Sequence, residues 1–506
     1  MADTNTHDFV VVGAGSAGCV LANRLTEDGE TDVLLLEAGG PDDREEIRKP
    51  GLFPALFKSE VDWDYGTVPQ PGLNGREEYQ PRGKALGGSS SINSLMYVRG
   101  NPRDYDRWAE LGNEGWGWDE MFDLFTGRIE DYEGGDEGYH GTGGALHAEQ
   151  QSGDVTPALI EAAVEAGFER NDDVNGETQE GVGHLHLNVE DGVRQSTAVA
   201  YLHPALDRDN LRAETGARVT QVLFDGDRAT GVEYVQDGET RTATAEEVIL
   251  SAGAIDSPRL LMLSGVGDAD HLADHGIDVQ VDLPGVGRNL QDHLLAHTVY
   301  ECTEEVELSP EELPCQVVGF ERTDPDLEIP DLQYFLARVY FMNHGFDNPE
   351  GDGISLGATL LHPESTGRIT LASDDPFDDP VIDPQYLTEQ ADVDTLVEGI
   401  KRTREIGRAS ALDDYRGEEV WPGEDVTTDE EIEEHVRDTV QTVYHPVGTC
   451  KMGDDDLAVV DDDLRVHGVE GLRVVDASVM PEIPTANTNA PTIAVAERAS
   501  DKIRNA

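Results

Sequence analysis

DFVVVGAGSAGCVLANRLTEDGETDVLLLE, residues 8–37, follows the order strand, glycine-rich turn, helix and second strand, and it ends in a carboxylate. Gly13 suits the tight turn, Gly15 lets a backbone approach a pyrophosphate, and Gly18 lets the helix pack closely on the sheet. The helix from about Ser16 would point its N-terminal amides at the phosphates. Glu37 lies where a carboxylate can accept hydrogen bonds from a ribose. The stretch predicts a dinucleotide-binding unit and favours a redox enzyme.

The chain is strongly acidic. Its 506 residues contain 36 Lys and Arg against 104 Asp and Glu, a formal net charge of −68, with 38% hydrophobic residues. The length allows two or three domains' worth of core. Such a charge repels nucleic acid and anionic membranes, so we expect no nucleic-acid partner.

Two interpretations of the acidity stay open. The carboxylates are spread along the whole chain and lysine occurs only six times, which favours adaptation to high salt. In that case thermal stability should rise with salt, because screening mutes the self-repulsion of the chain. The alternative is attraction of a cationic substrate.

Cysteine content and the N-terminus indicate a cytoplasmic protein. Four cysteines (Cys19, Cys302, Cys315 and Cys450) form neither a CxxC pair nor a disulfide scaffold. The first strand is reached by Asp8, which leaves no room for a signal peptide, and no apolar run approaches the ~20 residues of a membrane span. His184 and His186 fit one face of a strand better than a ligand pair, so we expect no metal.

The periodicity predicts an α/β fold in which a discontinuous domain surrounds an inserted sheet. Residues 40–81 suit a covering loop, and helices are expected at 157–167, 196–206, 392–406, 427–440 and 492–503. Short runs at 218–250 suggest an antiparallel excursion before a buried strand, and residues 298–390 alternate like half-buried strands. We therefore predict a Rossmann-type cofactor domain from 1–297 and 440–506, and an α+β substrate domain with an antiparallel sheet from 298–439.

Several motifs along the chain resemble the glucose–methanol–choline family of flavin oxidoreductases. They are GKALGGSSSINSLMYVRGN (83–101), GAIDSPRLLMLSGVG (253–267), VGRNLQDH (286–293), YHPVGTCKMG (444–453), GLRVVDASVMP (471–481) and NTNAPT (487–492). The resemblance covers nearly the whole chain in the family's order, and it implies FAD rather than NAD. It places the predicted FAD contacts at Gly13, Gly15, Ser16, Gly18, Glu37, Ala38, Trp63, Leu86, Gly88, Asn93, Leu95, Met96, Val219, Ala252, Asp476, Ala477, Ala490 and Thr492.

One departure from the family concerns the covalent flavin link. Some members attach the flavin through a histidine in the first signature, whereas the equivalent position here is Ile92. The resemblance therefore implies non-covalent FAD, and acid precipitation should release the yellow colour.

Two residues near the C-terminus are the candidate catalytic pair. His445 lies before a proline in an uncharged stretch, and an unperturbed pKa near ~6.5 suits it to take a proton from an alcohol. Asn489, ahead of Pro491, is expected to cap the last helix and to hydrogen-bond the substrate oxygen beside His445. His293 is expected to pack or to support these residues.

The sequence therefore predicts an FAD-dependent oxidation of an alcohol to an aldehyde, with hydride transfer to flavin N5. Choline or another primary alcohol is the expected substrate, with Tyr444 and Trp63 as a possible cation–π wall, although no carboxylate partner for choline can be located. The electron acceptor, whether quinone, soluble carrier or oxygen, stays open, and a dehydrogenase is favoured over an oxidase. A hydroxynitrile lyase-like enzyme or a non-catalytic flavin protein would share the same flavin signatures.

Overall fold

The computed structural model describes residues 6–303 and 308–505, and these fold around two seven-stranded sheets. The first, the cofactor sheet, begins with the strand Thr6–Val12 that the opening sequence predicts. The strands of the cofactor sheet, in spatial order, are Leu211–Glu214, Val33–Leu36, Thr6–Val12, Glu239–Leu250, Arg228–Gln236 and Arg218–Asp225, with Leu472–Val474 paired to Glu239–Leu250.

One long strand organises the cofactor sheet. The carboxyl-terminal half of Glu239–Leu250 pairs in parallel with Thr6–Val12 on one side and with Leu472–Val474 on the other. Its amino-terminal half pairs antiparallel with Arg228–Gln236, which continues to Arg218–Asp225. The predicted antiparallel excursion is therefore a meander that extends from the parallel part of the sheet. In the parallel part, residues far apart in sequence meet at the carboxyl ends of the strands, where ligands of α/β sheets bind.

The second sheet, the substrate sheet, is antiparallel throughout. Its strands, in spatial order, are Arg416–Trp421, Leu294–Cys302, Gly353–Leu360, Leu332–Ala337, Cys315–Glu321 and Gly181–His184, with Gln441–Thr442 paired to Leu294–Cys302. Most of these lie within the predicted insertion, but the sheet also recruits Gly181–His184 and Gln441–Thr442 from outside it. The substrate sheet thus extends beyond the predicted domain boundaries at both ends of the insertion.

Ten α-helices occur in the described residues. They are Ser16–Leu25, Glu45–Arg48, Pro102–Glu110, Trp118–Leu124, Thr156–Glu165, Gly253–Leu263, Ala269–Asp274, Gln390–Gly407, Asp429–Thr439 and Asn489–Arg504. The Thr428 hydroxyl caps Asp429–Thr439, within a capping box completed by Glu431. None of the helices in the described parts of the chain has the length and apolar character that crossing a bilayer requires.

The expected helix at 196–206 is wrong in type. The segment forms a wide π turn, Ala198–Leu202, followed by a 3-10 turn, His203–Ala205. Pro204 lacks the N–H that a continuing α-helix would need, so the regular ladder is interrupted there.

Candidate active site

A single elongated cavity runs from the carboxyl edge of the cofactor sheet to the face of the substrate sheet. Its floor follows the ends of three parallel strands, where Gly13, Ala252 and Asp476 come just after the strands that end at Val12, Leu250 and Val474. This is the edge at which a doubly wound sheet binds a dinucleotide.

The glycine-rich turn is shaped for a close backbone approach. Gly13 has φ +97°, and a Cβ there would lie 2.5 Å from the Ser251 carbonyl oxygen. A Cβ at Gly88 would lie 2.6 Å from the Gly15 Cα, so the first signature motif crosses directly over the turn. A Cβ at Gly15 itself would meet only the Gly88 Cα, at 4.0 Å, which leaves its open side toward the cavity. The surroundings thus require glycine for two different reasons: backbone contacts at Gly13 and Gly88, and access at Gly15.

Glu37 closes the second strand as the sequence predicts. Its carboxylate accepts hydrogen bonds from the backbone N–H of Ala14 and of Gly39, both at 2.8 Å. Burial raises the pKa of Glu37 to about 7, against the effect of these two amides. The carboxylate is therefore held at the cavity wall beside the glycine turn, where a ribose could donate to it.

Asn489 lies at the cofactor end of the cavity rather than beside His445. Its side-chain oxygen accepts a hydrogen bond from the Ser16 hydroxyl at 2.7 Å. The residue is also not the N-cap, because Thr488 precedes the helix and Asn489 is its first helical residue. The prediction that Asn489 contacts the substrate is therefore not supported: two helix N-termini, at Ser16 and Asn489, meet here at the cofactor end.

His445 is positioned by two chain segments that pair across the cavity end. Gln291 and Val447 exchange backbone hydrogen bonds at 3.2 and 2.9 Å. The buried Asp292 carboxylate accepts the His445 backbone N–H at 2.8 Å and the Thr442 hydroxyl at 2.6 Å. These bonds fix the backbone of His445 at the cavity wall.

The protonation of the His445 ring follows from its neighbours. His293 Nε2 lies 3.0 Å from the Leu361 carbonyl oxygen, which can only accept, so His293 carries its proton on Nε2. Burial lowers the pKa of His293 to about 3, so its Nδ1 is unprotonated and can only accept. His445 Nδ1, 3.0 Å away, must then donate, which leaves Nε2 of His445 with a free lone pair. Burial, and then the neighbouring His293 and Arg82, lower the pKa of His445, which keeps the ring neutral.

Asn487 faces that lone pair, and the sequence prediction missed it. Its Nδ2 lies 3.3 Å from His445 Nε2 and 3.7 Å from the Met96 sulfur, while its Oδ1 accepts from Gln333 at 3.2 Å. Asn487 and Asn489 occupy the first and third positions of NTNAPT, so composition alone does not separate them. The position of the helix start could have distinguished them. Asn489 is the first residue of the helix, whereas Asn487 precedes the cap residue Thr488 and lies in the loop next to His445.

Most of the predicted FAD contacts line the cavity. They are Gly13, Gly15, Ser16, Glu37, Ala38, Trp63, Gly88, Asn93, Leu95, Met96, Val219, Ala252, Asp476, Ala477 and Thr492. Three others are absent from the wall. Gly18 is needed for packing, since its Cβ would lie 1.9 Å from the Gly13 carbonyl oxygen, and Leu86 and Ala490 are buried in the core of the cofactor domain.

Trp63 and Tyr444 do not build a common wall. Trp63 stacks on Tyr65 with ring centroids 5.7 Å apart, and Lys84 and Arg218 lie over its ring at 4.4 and 5.0 Å. Tyr444 instead contacts Phe57 edge-on at 5.6 Å. Trp63 therefore belongs to the cofactor end, and the expected cation–π pair is not formed.

His184 and His186 likewise do not act as a ligand pair. His186 is buried with its Nδ1 2.7 Å from the Tyr132 hydroxyl, whereas His184 is half-buried at the end of a strand of the substrate sheet. Glu133, His147 and Glu149 do cluster at the surface, but His147 already pairs with Asp131. Exposed groups of this kind are common without an ion, so the absence of a metal stays a prediction.

Comparison with known proteins identifies the family. The N-terminal and C-terminal profiles of the GMC oxidoreductases match residues 7–295 and 363–496. The chain belongs to the GMC oxidoreductase family. It is 42% identical to the mitochondrial choline dehydrogenase of Mus musculus, over 98% of this chain and 89% of that one, and 42% identical to the alcohol dehydrogenase [acceptor] of Pseudomonas putida, over 98% and 95%. In structure it is similar to the pyridoxine 4-oxidase of Mesorbium loti, with a TM-score of 0.94, 34% identity and 99% and 100% coverage.

The cavity of this GMC oxidoreductase fits FAD. The glycine turn offers a space without side chains for a pyrophosphate, Glu37 suits the ribose, and Val219 lies on the wall near them. The start of the Asn489–Arg504 helix would stabilise negative charge at the flavin end. FAD is therefore the cofactor, and Ile92 on the cavity wall has only alkyl carbons, which fits the prediction of a non-covalent flavin.

Proposed function

We propose that this GMC oxidoreductase converts a primary alcohol to the aldehyde, with His445 Nε2 taking the hydroxyl proton. The observation that carries the proposal is the hydrogen-bond order from Leu361 through His293 to His445, which leaves the Nε2 lone pair facing the cavity. A general base must be unprotonated and within reach of the proton that it removes.

Asn487 is the proposed partner of His445. Gln333 binds its amide oxygen, so its amide N–H groups are directed at the space next to His445 Nε2. A donor fixed in this position can stabilise the negative charge that develops on the substrate oxygen as the proton leaves. We therefore assign to Asn487 the role that the sequence analysis gave to Asn489.

In this proposal the hydroxyl proton of the substrate is held by His445. On accepting the substrate proton, His445 becomes an imidazolium whose Nδ1–H still donates to His293, so no rearrangement of the pair is needed. FAD, when bound, supplies the acceptor for the hydride that leaves the alcohol carbon.

Two related proteins support oxidation rather than a lyase reaction. Both 42% identical relatives carry the name dehydrogenase, and neither name indicates a lyase. We propose a dehydrogenase on this basis.

Anaerobic mixing tests the reaction. Purified holoenzyme mixed with primary alcohols should lose its flavin absorbance, and His445→Ala should keep FAD but lower the reduction rate by about 10²-fold or more. His184→Ala, a histidine outside the cavity, is the control and should reduce normally. If no alcohol bleaches the flavin, the proposed reaction is wrong and the lyase alternative gains weight; a near-normal rate in His445→Ala would remove His445 from the mechanism.

A further inference from the structure

The part of the cavity beyond His445 and Asn487, here called the substrate pocket, is walled mainly by apolar side chains. Phe57, Leu95, Leu295, Phe335, Val339 and Phe341 line it. Most of them belong to one hydrophobic cluster that continues into the substrate sheet. A pocket of this kind favours apolar ligand groups and offers an ion no carboxylate in exchange for its lost water.

The acidic residues of the cavity lie at its other end. Among the described residues that line the cavity, the carboxylates are those of Glu37, Asp256 and Asp476. Glu37 is bound by the glycine turn, and Asp256 pairs with Arg259 at 2.9 Å. Asp476 accepts the Gly253 N–H at 2.8 Å and is also hydrogen-bonded by Ser257. All three belong to the cofactor domain, so none is a counter-ion in the substrate pocket.

The carboxylates directly behind the pocket are already engaged. Glu78 pairs with His344 Nε2 at 2.9 Å and accepts the Thr442 N–H at 3.0 Å. Asp292 accepts from Thr442 and from the backbone of His445. Turning either group toward a substrate would leave buried partners without hydrogen bonds, which is strongly unfavourable.

The charged side chain beside His445 is positive. Arg82 lines the cavity and donates to the Tyr444 carbonyl oxygen at 2.6 Å. The Lys58 ammonium lies over the rings of Tyr79 and Phe346, at 4.8 and 5.2 Å, so aromatic faces near the cavity already hold a cation. Arg82 adds positive charge next to the pocket, and Lys58 already covers one face of Phe346, which lines the cavity.

We infer that the pocket selects an uncharged, apolar primary alcohol and disfavours an alcohol that carries a quaternary ammonium group. This inference rests on the proposed oxidation and names its substrate class. It moves the expectation away from choline, even though the net charge of the protein would attract a cation from a distance.

Leu295 is the residue that the geometry makes decisive. It follows His293 by two positions and lines the cavity, as does His297, the next residue on the same face of the strand Leu294–Cys302. Gly357 makes room for it, because a Cβ at Gly357 would lie 2.5 Å from Leu295 Cδ1. An acidic residue at this position would bring a carboxylate close to the bound alcohol, whereas Leu295 presents an alkyl group there.

A matched pair of substrates tests the inference on the unmodified holoenzyme. Choline and 3,3-dimethyl-1-butanol have nearly the same shape, but a neutral carbon replaces the charged nitrogen in the second. Anaerobic flavin reduction should be measured for both, with benzyl alcohol and 1-octanol as further neutral alcohols, in molar KCl to screen the net charge.

We expect kcat/KM for the best neutral alcohol to exceed that for choline by about tenfold or more, since the pocket offers no counter-ion to the ammonium. Choline within tenfold of the best neutral alcohol would overturn the inference while leaving the proposed oxidation intact. Failure of every alcohol, with flavin that dithionite still reduces, would instead sink the proposed function.

Leu295→Glu sharpens the test. Its kcat/KM for choline should rise by about tenfold while that for 3,3-dimethyl-1-butanol falls, because the new carboxylate pairs with the ammonium. Leu295→Gln has the same shape without the charge and should lose neutral-alcohol activity with no gain for choline. If Leu295→Glu binds FAD normally and gains nothing, Leu295 is not the selecting residue; if it fails to bind FAD, the substrate pair on the unmodified enzyme decides.

Discussion

The two ends of the cavity are built in different ways. At the cofactor end, the contiguous stretch from Gly13 to Glu37 supplies the glycine turn, the start of a helix and the Glu37 carboxylate, which backbone amides hold in place. At the substrate end, His293, His445 and Asn487 come from three separate segments and depend on side-chain hydrogen bonds. The comparison teaches that a site made by local backbone can be predicted from sequence, whereas one made by side chains across the fold cannot be predicted in full.

The largest effect is expected from Gly15→Ala at the backbone-built end. The added methyl group has free space within the protein but projects toward the cavity, so the apoprotein should fold normally while FAD binds about 100-fold more weakly or worse. Fluorescence titration with FAD and thermal unfolding of the apoprotein measure the two quantities. Gly127→Ala, at an exposed glycine with no atom near its Cβ position, is the control; equal FAD affinity in both variants would contradict the backbone-built site.

A second comparison sets Asn487→Ala against Asn489→Ala. Asn487→Ala should slow flavin reduction by about 10- to 100-fold with FAD retained, because it removes a donor near the substrate oxygen. Asn489→Ala should mainly weaken FAD binding, since its partner is Ser16. Stopped-flow reduction and FAD titration separate these outcomes, and the reverse pattern would return the substrate role to Asn489.

The sequence predicted the cofactor end well for a physical reason. The glycine spacing and the terminal carboxylate encode a local turn that needs no distant partner, and the structure confirms its elements. The final helix was also predicted, because its helical pattern runs over many residues. Gly18, however, packs against the turn itself, so its place in the motif reflects folding rather than cofactor contact.

The substrate end was predicted in part. His445 stood out because a histidine in an uncharged stretch is unusual. The choice between Asn487 and Asn489, which are two residues apart, depended on the exact residue at which the helix begins. The sequence analysis predicted that Trp63 lies beside Tyr444. In the structure the ring of Trp63 contacts Lys84 and Arg218 instead. Such neighbours are set by tertiary packing and leave no local trace in the sequence.

The smallest effect concerns pH and again separates the two ends. Burial lowers the pKa of His297 to about 3 at the substrate end and raises that of Glu37 to about 7 at the cofactor end. The unfolded chain would protonate His297 near pH ~6.5, so its stabilising effect is complete above that pH and is lost as pH falls toward 3. For Glu37 the sign is opposite, since its effect is present below pH ~4.5 and is lost as pH rises through about 7.

Urea unfolding of the apoprotein between pH 6.5 and 5 in molar salt measures this dependence. His297→Gln should reduce the slope of the unfolding free energy against pH by up to about one proton, or ~1.4 kcal/mol per pH unit. His184→Gln, at a half-buried position, should change the slope less. An unchanged slope in His297→Gln would mean that folding does not shift the pKa of His297.

The hydrogen bond between Ser16 and Asn489 joins positions 473 residues apart, and Leu472–Val474 completes the sheet that begins at Thr6. During synthesis, the glycine turn therefore leaves the ribosome long before its partners exist. Only when residues up to about 504 have emerged can both helix starts and the last parallel strand come together. FAD capture is thus a late event that reports a finished chain, and a truncated nascent product with an intact nucleotide motif should remain colourless.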